Sequence, residues 1–450
     1  MEELLNVSPL DGRYKEYTEE LSAYWSEFAL IKARVSIEID WLSFLMRKGI
    51  VTVTKIEEVE DLFKEIVYGF DVKEAALVKK HEAVTNHDVK AVEYYLREKF
   101  VTPASKKLIP YIHFLLTSED INSTAYAILI KECVSSTYLP TLNALIEKLN
   151  ELAEEYSDTP MLAHTHGQPA TPTTVGKEFK VFTYRLESLY KKIENAEVKA
   201  KFSGTVGNYS AHKLAYPSLN WPVLAEDFIE SFGLSYNPIT TQIEPHDDLC
   251  ALLSLIKVAN NIINDLDNDM WLYICLGYFS EKKKDGEVGS SVMPHKVNPI
   301  NYENSMANCQ LSNGMVDALV NNLSMSRMQR DLSDSSKLRN IGVVFGYSLI
   351  AMKQTLKGLN KVMVNESVLE KELEENWVVL AEAIQTILRK NNVSDAYEQL
   401  KALSRGHKVS KEEMTKFIES LDIEAPDKKA LLALSPEKYT GFAKDLAKSK

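Results

Sequence analysis

Apolar residues recur at helical spacing along nearly every long segment of the chain. Residues from about 16 to 48 read as one helix that stops before Gly49. Ser118 is positioned to cap a second helix, running through Ile128, Leu142 and Leu149 and bent at Pro140. A third spans roughly 173 to 202. From Asp247 to Phe279 the apolar positions Leu249, Leu252, Leu253, Ile256, Ile263, Leu266, Met270 and Ile274 cover too wide an arc for a surface helix, so this segment belongs inside a bundle. Residues 335–364 predict a further long helix, and after about 365 the helices become shorter and more charged, as in a separate C-terminal domain. There is no βαβ alternation, no Gly-rich dinucleotide fingerprint, no internal repeat and no low-complexity linker. The expected class is all-α.

Composition supports that picture. Only 17 glycines and 15 prolines occur in 450 residues, which favours long helices over turn-rich sheet. Hydrophobic content of 45% and charged content of 26% are those of a soluble globular protein. The length supports a large core spread over two or three domains. No apolar run approaches membrane-spanning length, and the acidic start MEELLN does not resemble a secretion signal. Cys133, Cys250, Cys275 and Cys309 form no CxxC pair, as expected of reduced, mostly buried thiols in a cytoplasmic protein. The net charge of -12 argues against nucleic acid as a partner. An acidic chain that takes an anionic substrate must gather its cations locally, so arginine clusters become informative.

One such cluster is SRMQRDLSDSSKLRN, Ser326 to Asn340. Arg327, Arg330, Lys337 and Arg339 are mixed there with Ser333, Ser335 and Ser336, and guanidinium and hydroxyl donors together suit a phosphate. A solvated helix start with i,i+3 and i,i+4 ion pairs would use the same residues. The run GSSVMPHKVNP, Gly289 to Pro299, places Ser290 and Ser291 after a glycine and Lys296 six positions beyond the first serine. Gly286 and Gly289 free the backbone, Pro294 blocks a continuous helix, and Asn298-Pro299 predicts the cap and first residue of the next one. AHTHGQPATP, Ala163 to Pro172, sets His166 beside Gly167, with Pro169 and Pro172 fixing the chain that follows. A rigidly held imidazole suits a general acid or base near neutrality, and a structural histidine would read the same way.

Three weaker segments accompany these. SPLDGRY puts Arg13 and Tyr14 after a turn at Asp11-Gly12. TNHDVKAVEYYL puts Asn86, His87 and Asp88 at a helix start, where Asp88 also complements the dipole. IHFLLTSEDIN puts His113, Thr117 and Ser118 near another helix start, whose free N–H groups can hold a carboxylate, although capping alone explains Ser118 equally well. Other patterns fail. Asp265, Asp267 and Asp269 mimic a calcium loop, but Met270 replaces its turn glycine and Leu276 its closing glutamate, so they read as a polar stripe on a helix. His164 and His166 stand two apart, which does not place both on one helical face for a metal. The glycosylation sequons at Asn122 and Asn208 carry no weight in a cytoplasmic protein.

Taken together, SPLDGRY, THGQPATP, VGNYSAH (Val206 to His212), NPITTQIEPHD (Asn237 to Asp247), the serine run and the segment to Arg339 resemble the adenylosuccinate lyases of the fumarase/aspartase superfamily, in their longer bacterial-type form. The serine run and TH-x-Q mark the superfamily. THGQPATP, TTQIEPHD and the Arg/Ser-rich segment point to this member. The resemblance covers most of the chain. It implies an all-α fold of three domains, set here at residues 1–112, 113–364 and 365–450, whose long central helical bundle assembles as a homotetramer with active sites shared between subunits. It implies β-elimination of fumarate from adenylosuccinate, giving AMP, and from succinylaminoimidazole carboxamide ribotide, giving AICAR. No metal or organic cofactor is implied.

By the same resemblance Ser290 is the general base and His166 the general acid. Removing the weakly acidic proton requires charge to build on the adjacent carboxylate, and Lys296, Asn298, Thr117 and Ser118 are chemically suited to meet it. His87 and His113 fall where the family has further active-site histidines, with Asn86 and Asp88 beside His87 in the binding set. Gln242 is expected to read the purine or carboxamide. Arg13, Tyr14, Arg330, Ser335 and Arg339 are expected to hold phosphate and ribose, with Ser336, Lys337 and Leu338 in the same binding run. A sister lyase, such as argininosuccinate lyase or fumarase, is disfavoured by the Arg/Ser-rich segment. An inactive scaffold on a lyase fold is disfavoured by the presence of Ser290, Lys296, Asn298 and His166 together.

Overall fold

The computed structural model describes residues 2–282, 293, 297–404 and 409–449. Its longer helices are α1 (Glu27–Arg47), α2 (Ile56–Tyr68), α3 (Val72–Thr85), α4 (Asp88–Lys99), α5 (Ser118–Cys133), α6 (Leu139–Glu155), α7 (Val175–Glu194), α8 (Asp247–Cys275), α9 (Ile300–Leu323) and α10 (Ile341–Leu359). Strands among the described residues form three short pairs. β1 (Pro160–Thr165) runs antiparallel to β2 (Gln168–Thr174), β3 (Lys199–Ala200) parallel to β4 (Ser235–Tyr236), and β5 (Phe279–Glu281) antiparallel to β6 (Val362–Val364). The fold is all-α, as the periodicity predicts.

Several boundaries differ from the sequence reading, each for a local reason. The first helix is not continuous from 16 to 48: Ser26 is extended (φ -75°, ψ 156°), and its hydroxyl accepts from the Ala29 N–H, so it caps α1. Its end agrees, with Gly49 at φ 71°. Thr117 rather than Ser118 is the cap of α5. The expected bend at Pro140 is a π-helical turn, Val134–Tyr138, between α5 and α6. Proline lacks an N–H and its ring crowds the carbonyl four residues back, and a wider turn relieves both. The helix expected over 173–202 is α7 alone, flanked by β2 and β3, while Pro299 rather than Asn298 caps α9, its carbonyl accepting from Glu303 N–H at 3.3 Å. The segment expected over 335–364 divides into Ser333–Leu338, α10 and β6.

The chain packs as two compact units. The first holds Met1–Thr141, Leu189–Asn260 and Asn308–Ile350. Its core includes the fully buried Val35, Ile37 and Leu45 of α1 and Ile121 and Ala125 of α5. Trp41 packs its ring on Phe202 and Phe228, at 4.8 and 5.1 Å between centroids, and donates through Nε1 to Phe114 O. Burying the indole together with its one polar atom satisfies both.

The second unit holds Leu142–Ser188, Asn261–Ala307 and Ala351–Lys450. Asn150 of α6 joins two residues of α7, donating to Glu187 and accepting from Lys180. A separate apolar cluster lies beyond residue 376, built around Trp377, Leu380, Ile384, Leu388, Met414 and Ile418. Of the three aspartates read as a polar stripe on α8, Asp265 is exposed but Asp267 is wholly buried, where the Thr355 hydroxyl donates to it. Two residues advance a helix by about 200°, which turns Asp267 away from the face of Asp265.

Contrary to the expectation that no run reaches membrane-spanning length, α8 is long and apolar enough to do so, although 56% of its most apolar window is buried inside the protein. That burial is what its wide apolar arc predicts.

Candidate active site

The histidine of AHTHGQPATP stands at the tip of the β1–β2 hairpin. Thr165 pairs with Gln168, leaving a two-residue loop of His166 and Gly167. Both take left-handed φ, 53° and 70°, as a type I′ turn demands. Glycine accepts that geometry freely, whereas histidine is strained in it. The hairpin therefore presents His166 as an exposed imidazole on a fixed backbone, within the second unit. Nearby, His164 Nε2 lies 3.7 Å from Glu372 Oε1. Among the described residues no cluster of histidine, cysteine and carboxylate has the makings of a metal site. Asn298, half-buried, belongs to the same unit. Ser290, Ser291 and Lys296 lie outside the described residues.

The remaining candidates belong to the first unit. A cleft of about 720 Å³ is lined by Ser8, Asp11 and Lys15 of the N-terminal segment and by Arg339 and Gly342. This joins SPLDGRY to the end of the Arg/Ser-rich segment in one cavity of ligand size. Arg13 is exposed, with its guanidinium carbon 5.9 Å over the ring of Tyr14. Arg339 donates to Glu27 Oε2 at 2.6 Å and to Asp88 Oδ2 at 3.2 Å. Arg330 is drawn inward and lies 2.8 Å from Glu119 Oε1. Ser335 is half-buried and Ser336 exposed, while Lys337 reaches Ser333 Oγ and Leu338 is buried.

His87 caps α4, its Nδ1 accepting from Lys90 N–H. Asn86, just before it, is left-handed at φ 50° and exposed. Burial opposes the charge on Asp88, but Arg34 and Arg339 together hold its carboxyl below the ordinary range. For His113, burial would lower the imidazole pKa, and the Glu38 carboxylate overrides it and raises the pKa above its usual value.

Thr117 is held by Asp120, and Ser118 follows it as the first residue of α5. Asp120 Oδ2 accepts from Thr117 N–H at 2.8 Å, and its Oδ1 accepts from Lys201 Nζ, Ser203 N–H and Gly204 N–H. Asp120 and Lys201 are both fully buried, so this saturated carboxylate avoids the cost of an unpaired buried charge. Gln242 donates to Thr205 O at 3.0 Å, fastening TTQIEPHD to the residue just before VGNYSAH. The two segments touch so closely that a Cβ on Gly207 (φ 81°) would stand 2.1 Å from Thr240 O. In the same region burial pushes His212 down to about 4, leaving it neutral near pH 7.

The sequence reading missed Arg34, Glu38, Glu119, Asp120 and Lys201. One signal was available: Arg34 and Glu38 stand four apart in α1 among apolar Ile31, Val35, Ile37 and Leu42, which places both charges on one helical face, and that face is buried.

Comparison with known proteins identifies the family. A family model described as Lyase matches residues 12–311, and one described as Adenylosuccinate lyase C-terminal matches residues 326–440. An adenylosuccinate lyase of Buchnera aphidicola is 46% identical over 448 residues, covering 98% of each chain. The chain belongs to the adenylosuccinate lyase family. The Escherichia coli K12 member of that family is 44% identical, over 98% of this chain and 97% of its own. The family's fumarase-type fold is shared with a fumarate lyase from Mesorhizobium sp. BNC1 (TM-score 0.75, 15% identity, 95% and 96% of the two chains). It is shared too with the 3-carboxy-cis,cis-muconate lactonizing enzyme of Pseudomonas putida (TM-score 0.76, 18% identity, 97% of each chain).

Proposed function

We propose that the chain cleaves adenylosuccinate to AMP and fumarate, and succinylaminoimidazole carboxamide ribotide to AICAR and fumarate, in purine nucleotide biosynthesis in the cytoplasm. The observation that carries this reading is the relationship to adenylosuccinate lyases along 98% of the chain.

In the proposed step Ser290, as alkoxide, takes the proton from the succinyl carbon next to a carboxylate. The carbon–nitrogen bond breaks, and His166 protonates the departing nitrogen. Lys296, Asn298, Thr117 and Ser118 meet the charge that builds on the carboxylate. Gln242, the histidines 87 and 113 with their neighbours Asn86 and Asp88, and the cations and hydroxyls of Arg13, Tyr14 and the 330–339 run bind the nucleotide. The strained, exposed backbone at His166 supports its role, since strain of this kind concentrates at functional sites.

The proposed assembly is a homotetramer of three-domain subunits with shared sites. Its support is the apolar surface left on α8, where Val258, Trp271 and Leu272 are 45%, 38% and 51% exposed. Such surface on a central helix seeks a partner.

Ser290→Ala tests the chemistry. Turnover, followed by the ultraviolet change of adenylosuccinate, is expected to fall by roughly 10²–10⁴ or more with substrate binding largely kept. Ser291→Ala is the control, and near-normal turnover in Ser290→Ala would move the base elsewhere.

A further inference from the structure

The two arginines assigned above to the nucleotide phosphate are joined by an unbroken line of polar contacts inside the first unit. Arg339 and Arg34 both donate to Asp88 Oδ2, at 3.2 and 2.8 Å. Arg34 also donates through Nε to Asn122 Oδ1 at 2.9 Å, Asn122 donates to Glu119 Oε1 at 2.8 Å, and Glu119 Oε1 lies 2.8 Å from Arg330. Arg34 sits at the middle of this line and is 2% exposed, so it cannot itself reach a ligand. A buried guanidinium must satisfy its donors and its charge, and its fork geometry sets the direction of each partner. Here one side of the fork aims Asp88 at Arg339, and the other aims Asn122, and through it Glu119, at Arg330. A lysine could offer charge to only one side.

We infer that Arg34 is a positioning residue for phosphate recognition: it fixes the carboxylates that orient Arg339 and Arg330. The inference rests on the reading of those two arginines as phosphate ligands. Asn122 is the link that passes the orientation from Arg34 to Glu119. Its 8% exposure also leaves no room for the glycan its sequon would otherwise suggest.

The test compares Arg34→Lys and Asn122→Ala with the unaltered enzyme, using adenylosuccinate as substrate and AMP as inhibitor, alongside Arg339→Ala and Arg330→Ala. Losing the orientation of one charge-assisted contact costs roughly tenfold. KM for adenylosuccinate and the AMP inhibition constant are therefore expected to rise together by about that factor in Arg34→Lys, with kcat held within about twofold. Inhibition by adenosine, which lacks the phosphate, is expected to stay unchanged. Asn122→Ala keeps every charge and carries the test if Arg34→Lys does not fold. A fall in kcat with AMP inhibition unaltered, or equal losses for AMP and adenosine, would overturn the positioning role. If Arg339→Ala and Arg330→Ala themselves leave AMP inhibition unchanged, the phosphate reading falls, and the inference with it.

Discussion

Glu38 meets His113 twice: its Oε1 lies 2.6 Å from the imidazole Nδ1, and its Oε2 accepts from the His113 backbone N–H at 3.1 Å. The carboxylate is 3% exposed, so it acts on the ring with little screening from solvent. His113 also has left-handed backbone, φ 58°, which the second contact helps to hold.

Glu38→Gln removes the charge and keeps the shape. Burial, the largest influence, is then opposed only by the weaker pulls of Glu93 and Asp120, and the His113 pKa, raised in the native protein, is expected to fall. Titration of the imidazole resonances by NMR checks the direction. The stability consequence has a definite sign. A raised imidazole pKa stabilises the fold fully below about 6.5, and the contribution is lost as pH rises through the folded value. Glu38→Gln is therefore expected to cost most on the acid side. A variant with an unmoved His113 pKa would remove Glu38 as the cause.

Asp267 gives the opposite behaviour for a carboxyl. Burial pushes its pKa up to about 8, only partly opposed by the Ser305 and Thr355 hydroxyls. The folded chain keeps this proton where the unfolded chain has lost it, so stability falls as pH rises from about 4 to 8 and then levels off. Asp267→Asn, isosteric with the protonated acid, is expected to flatten that part of the profile and raise the denaturation midpoint at pH 8 to 9. Midpoints in urea from pH 5 to 9 measure this, and an unchanged slope would count against the buried acid as its source.

Shared sites predict complementation. His166→Ala and Ser290→Ala are each expected to be inactive, and mixing followed by reassembly should restore activity if the two residues of one site come from different chains. Random assortment gives each site a chance of about one in four of drawing both intact residues in symmetric tetramers. Mixed tetramers seen by native mass spectrometry yet devoid of activity would exclude this arrangement.

Gly207→Ala is expected to destabilise the protein by roughly 2 kcal/mol or more, because the left-handed backbone and the Thr240 carbonyl both oppose a Cβ. Gln242, tied to the same loop through Thr205 O, should shift with it. The readouts are the thermal midpoint and KM. An alanine variant as stable as the parent would mean that the loop has room to move.

Long helices were legible because burying one face of a helix imposes a period that persists for many residues. α8 is the clearest case: seven of the eight apolar positions picked out from its sequence are buried, and only Ile274 is intermediate. The hairpin holding His166 was legible as a rigid loop but not as paired strands, because β2 contains two prolines that weaken any strand pattern. Partners such as Glu38 for His113 and Asp88 for Arg339 are fixed by packing between segments 75 and 251 residues apart, which no local pattern encodes. The aspartates of α8 show that a polar position on a helix need not be an exposed one. A hydroxyl neighbour lets a carboxyl sit in the core, and that neighbour, Thr355, is 88 residues away.

Arg339 already has both terminal nitrogens engaged by carboxylates, one from Glu27 and one from Asp88. An anion arriving at this guanidinium does not meet a bare cation. The guanidinium carries five N–H donors, of which these two bonds use two, so the anion finds donors to share but a charge already offset by carboxylates within hydrogen-bonding distance. The carboxylates thus temper the pull of Arg339 on small anions without taking all of its donors.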